Sequence, residues 1–66
     1  MERMHLFIED GYWMMRTDSP ETKALFGTDT LPMPFSEAIR PSQVYATVRE
    51  LNPDAEITVK GITISP

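Results

Sequence analysis

The chain has 66 residues, a hydrophobic fraction of 41%, a charged fraction of 24% and a formal net charge of −4, which fits one small folded domain rather than a disordered segment. A chain of this size buries only about 60% of the surface that its unfolded form exposes, so stability is marginal. The absence of cysteine rules out a disulfide framework and a thiolate zinc site, leaving oligomerisation or a bound partner as the remaining way to reinforce so small a core.

The pattern from Met4 to Thr17 predicts two short strands joined at Asp10-Gly11, a pair suited to the positive φ angles of a type I′ turn. With those two residues as the loop, Glu9 pairs with Tyr12, Ile8 with Trp13, Phe7 with Met14, Leu6 with Met15 and His5 with Arg16. Side chains alternate across a strand, so this register sorts the hairpin into two faces. Met4, Leu6, Ile8, Trp13 and Met15 form an apolar face that should point to the core. His5, Phe7, Glu9, Tyr12, Met14 and Arg16 form a mixed face.

Ser19-Pro20-Glu21 reads as a helix start: serine caps the free amides, proline suits the first helical position and glutamate suits the positive end of the dipole. A short helix over about 20–26 follows, closed by Gly27. Pro32 and Pro34 exclude a regular helix and disfavour a central strand, so 28–35 should be an extended segment at an edge, with Leu31, Met33 and Phe35 alternating along it. A second helix is expected over about 41–51, with Val44, Tyr45, Val48 and Leu51 on the face that covers the sheet, ended by Asn52-Pro53. A strand over about 55–60 turns Ile57 and Val59 inward. After Gly61 the parity reverses, which implies either a bulge there or a turn into a short strand over 62–65. The whole reads as one small α+β domain over 1–66, in which an N-terminal hairpin and one or two further short strands pack against two helices.

No residue pattern carries chemistry of its own. Metal binding needs clustered ligands, and the one histidine, His5, stands without cysteine or suitably spaced acids. His5 and Glu9 share a strand face but lie about 13 Å apart, too far for an acid–base pair, so His5 reads as the polar end of a strand opposite Arg16. Gly27-Thr28-Asp29-Thr30 lacks the lysine and glycine density of a phosphate loop and reads as a turn whose side chains bond their own backbone. No catalytic, cofactor-binding or metal-binding residue is assigned, and the chain is expected not to be an enzyme.

Six Lys and Arg scattered among ten acids make no basic patch of the kind that displaces counterions from nucleic acid. With neither a basic, apolar leader nor a long apolar run, the sequence reads as cytoplasmic, with no membrane association. The candidate interface is the mixed face: Phe7, Tyr12 and Met14 bordered by His5, Glu9 and Arg16, a composition enriched in protein interfaces. That face is either covered by another part of the chain or open to a partner. The leading expectation is a non-catalytic protein-binding or regulatory module whose partner is another protein or a second copy of itself. A second is a small acidic inhibitor of a nucleic-acid enzyme, of the kind mobile elements encode, which requires Asp10, Asp18, Glu21 and Asp29 to share a surface and mimic phosphates. A third is an enzyme whose site forms only between subunits.

Overall fold

The computed structural model describes residues 2–60 and 62–64. The elements run β1 (Arg3–Glu9), β2 (Tyr12–Thr17), α1 (Pro20–Phe26), β3 (Thr30–Ser36), α2 (Pro41–Leu51), β4 (Glu56–Val59) and β5 (Ile62–Ile64). The strands form one mixed sheet in the order β3-β2-β1-β4-β5. β1 is antiparallel to β2 and parallel to β4, while β3 and β5 add antiparallel to β2 and β4.

The hairpin takes the register that its turn residues dictate. Asp10 (φ 53°) and Gly11 (φ 82°) both occupy the left-handed region, the requirement of a type I′ turn. Glu9 opposes Tyr12, Ile8 opposes Trp13, and the pairing runs on through His5 opposite Arg16 to Met4 opposite Thr17. Trp13 is accordingly buried completely, and Tyr12, its neighbour on the other face, is 57% exposed. The indole N–H of Trp13 donates to the Ile39 carbonyl at 3.0 Å, tying β2 to the loop that leads into α2 and satisfying a polar group the core would otherwise strand.

The core is the set Met4, Leu6, Trp13, Val44, Val48, Ala55, Ile57 and Val59, with Ile8, Met15, Met33, Phe35, Ile39 and Tyr45 packed around it. It lies between one face of the sheet and α2. Val44 and Val48 of α2 are buried and Tyr45 is half-buried, as the periodicity requires, but Leu51 is 76% exposed. The expectation that Leu51 covers the sheet is corrected: it stands on the wall of an open groove, at the last turn of the helix. Arg49 anchors that last turn, its guanidinium donating to the carbonyls of Asn52, Pro53 and Ala55 and to the Tyr45 hydroxyl.

α1 is built as its sequence suggests. The Ser19 hydroxyl accepts from the Thr22 amide, and Gly27 at φ 74° closes the helix with its amide on the Lys23 carbonyl. Yet none of its residues is buried. The segment containing Pro32 and Pro34 pairs with β2 as an edge strand, with a shift of register between Tyr12 and Met14. At the other edge, Lys60 sits at φ 51° and β5 runs back along β4, so the chain turns there. Gly61 itself, and residue 65 of the expected final strand, lie outside the described residues.

Because Trp13 is the largest fully buried side chain, Trp13→Ala should cost about 3–5 kcal/mol. Urea denaturation followed by circular dichroism checks it. A loss below about 1 kcal/mol would show that the hairpin is not the organising half of the core.

Candidate functional site, the open face of the sheet

Both helices lie on the core side. α2 contributes its buried residues to the core cluster, and α1 meets the molecule through Thr22 and Phe26, which share a groove with the core-side residues Met4, Met15 and Leu31. Among the described residues, nothing therefore covers the opposite face, where the six candidate interface residues His5, Phe7, Glu9, Tyr12, Met14 and Arg16 lie together as the register requires.

Directly paired residues share a face, so the ladder arranges this surface in three rows. Thr58, His5, Arg16 and Thr30 follow one another across β4, β1, β2 and β3. Phe7, Met14 and Pro32 make the second row, and Glu9, Tyr12 and Ser36 the third. The middle row is wholly apolar and spans two interstrand gaps, about 10 Å. Phe7 and Met14 are half-buried by their neighbours, whereas Pro32 and Tyr12 are exposed.

The Arg16 and His5 side chains of this surface are held against the apolar row. The Arg16 guanidinium carbon lies 5.0 Å from the centre of the Phe7 ring, a cation–π distance. His5 stacks on Phe7 with ring centres 5.6 Å apart and planes 17° from parallel. The His5 Nδ1 shares a hydrogen bond with the Thr58 hydroxyl, fixing the imidazole across the parallel β1–β4 pair. Phe7 is thus the hub of a cluster that joins an aromatic ring, an imidazole and a guanidinium on two adjacent strands.

The remaining sequence-derived positions behave as structural turns or end groups. The Thr28 hydroxyl accepts from the Thr30 amide and the Thr30 hydroxyl donates to Asp29, so Gly27 to Thr30 is a self-bonded turn. Asp18 accepts from the Arg3 amide at 2.8 Å, and Thr17, buried at the end of β2, bonds Glu2 and the Ser19 amide. Asp18 and Asp29 line one hollow and Glu21 stands near Asp18, at the end of the hairpin away from its turn. Asp10 is in that turn, about 20 Å along the strands. The four acids do not share one surface.

Two features were beyond the sequence reading. Pro32 and Thr58 extend the surface onto β3 and β4; each is a residue of the right parity whose strand partner is set by long-range pairing. On the core side, an apolar groove of about 580 Å³ opens between α1, β3 and the end of α2. Exposed Phe26 and Leu51, which line it, are the signal that marks it, since a helix face with nowhere to go is visible only once the sheet is assembled.

Among the described residues no group of three or more potential metal ligands exists, and no helix is long and apolar enough to cross a membrane. Comparison with protein families, curated proteins and solved structures gives no match to this chain.

The His5–Thr58 bond is a discrete test of this arrangement. Thr58→Val keeps the shape of the side chain and removes the hydroxyl, and should cost about 1 kcal/mol, read from the denaturation midpoint, while shifting the His5 imidazole resonances in NMR spectra. Unchanged imidazole resonances would separate His5 from β4.

Proposed function

We propose that this chain is a non-catalytic protein-binding module that presents the open face of its sheet to a partner protein. The observation that carries the reading is the uncovered apolar row Phe7–Met14–Pro32, flanked by exposed Tyr12 and by Arg16 held over the Phe7 ring. Aromatic, Met and Arg side chains at the centre of a patch with a polar rim are the composition of interface hot spots. The cluster is also preorganised, because stacking and cation–π contact hold His5 and Arg16 in place before any partner arrives, which lowers the entropy lost on binding.

The chemistry favours a partner that supplies an apolar side chain for the Phe7–Met14 row and a carboxylate for Arg16. The phosphate-mimicry alternative draws no support from the separation of Asp10 from Asp18, Glu21 and Asp29. Cytoplasmic location and regulation of the partner belong to the same proposal.

Tyr12→Ser separates binding from folding. With Tyr12 mostly exposed, the change should alter stability by no more than about 0.5 kcal/mol. Retention of a partner by the immobilised full chain should fall about tenfold or more. Equal retention by Tyr12→Ser and Phe7→Ser variants with unchanged melting curves would remove the open face from consideration.

A further inference from the structure

We infer that the apolar groove on the core side is a homodimer interface, in which Leu25 and Phe26 of α1 from each copy enter the groove of the other. This surface is opposite the face assigned to a partner protein, and the inference stands independently of that assignment.

The sheet is incompletely covered on its core side. Five strands span about 19 Å between the outer two, and a helix with its side chains is about 10 Å across. α2 therefore covers only part of the sheet, and Leu31, Met33 and Phe35 of β3 remain half-buried beside it. The uncovered part is the groove, bordered on one side by Thr22 and Phe26 of α1 and on another by Leu51 of α2.

α1 is itself left without cover. A seven-residue helix is far below the length that is stable by itself in water, and this one buries none of its residues within the chain. Leu25 is 78% exposed, Phe26 57% and Leu51 76%. At roughly 150–250 Å² for a large apolar side chain, these three present about 400 Å² to solvent. Phe26 and Leu51 line the groove and Leu25 precedes Phe26 in α1; with the half-buried β3 side chains of the groove floor these apolar groups reach about 600 Å² per copy, at the upper limit of what a monomer normally exposes. It falls in the range of a weak specific interface, below the roughly 800 Å² per partner of a standard one.

The occupant that fits this surface is a second copy of the chain. A groove and a projecting helix side by side on one surface are self-complementary: under a two-fold axis each α1 meets the other groove, and the contact closes. Charge permits this. The chain carries a net charge of −4, so association requires a surface with few charges, and among the described residues Glu2 is the one charged residue that lines this groove. A dimer also supplies the reinforcement that a cysteine-free chain of 66 residues lacks, and it places two open sheet faces on its outside.

Sedimentation equilibrium of the full chain from about 1 μM to about 1 mM tests the inference, with a dissociation constant expected on the order of micromolar to tens of micromolar. The wild type should pass from 7.5 kDa to twice that mass with no larger species. Leu25→Asp, at an exposed position, should weaken association about tenfold or more with an unchanged circular dichroism spectrum; Leu51→Asp, on the opposite wall, is the second variant. Tyr12→Ser should dimerise like the wild type, which keeps a failure of the partner-binding face distinct from a failure here. A wild type that stays monomeric up to the highest concentration overturns the inference, as does a monomer whose groove takes only a foreign peptide or an apolar small molecule. Folded Leu25→Asp and Leu51→Asp variants that dimerise normally, or a dimer abolished by Tyr12→Ser, overturn it equally.

Discussion

The two left-handed residues at Asp10 and Gly11 set everything that follows in this molecule. A two-residue loop fixes which residues oppose each other, and because side chains alternate with a period of two, a slip by one residue would exchange the faces of a strand. The turn thereby sends Trp13 inward and Tyr12 outward. The indole then donates to the Ile39 carbonyl in the loop that leads into α2. A short-range backbone requirement is converted into the placement of the core and, by the same step, into the composition of the outer face.

Coverage of the sheet is unequal, and the inequality has a simple origin. Among the described residues the longer helix lies between β3 and β4, and its Val44 and Val48 join Leu6, Trp13, Ile57 and Val59 in one core cluster. α1, confined to seven residues between Pro20 and Gly27, spans about 10 Å and reaches only the rim. Among the described residues one face of the sheet is consequently bare and the other is partly so. The bare face carries an apolar row between polar rows, whereas the partly covered face carries a groove with few charges. Their chemistries differ as the two proposed occupants differ: a partner that can offer a carboxylate on one side, and a self-complementary surface with few charges on the other.

Much of this was legible in the sequence, for reasons that differ by element. The hairpin, both helices and the turn at Gly27 are local structures whose instructions lie within a few adjacent residues, so they are readable from Asp10-Gly11, from Ser19-Pro20-Glu21 and from the spacing of Val44, Tyr45 and Val48. Leu51 misled because periodicity assumes that a core exists along the whole helix, whereas the sheet beneath its last turn opens into the groove. Arg49 gave no signal either. Its three carbonyl partners come from the loop after α2, and the fit of one guanidinium to that loop depends on its folded path. The six mixed-face residues were readable because the register was, but Pro32 and Thr58 joined them only through pairings between distant segments.

The edges of the sheet bear on how such a small protein makes contact at all. An exposed edge strand ordinarily invites an added strand from another chain. In β3 two of seven residues are prolines, which lack amide donors and are tolerated where those donors would point away from the sheet. An approaching strand would find a ladder with two bonds missing and a register already shifted beside Tyr12. β3 is therefore poorly suited to strand addition, while its side chains contribute to both faces: Pro32 to the open row, and Leu31, Met33 and Phe35 to the groove. The same prolines that close the edge leave the faces as the surfaces through which this part of the molecule can associate, and that is why both functional readings concern faces.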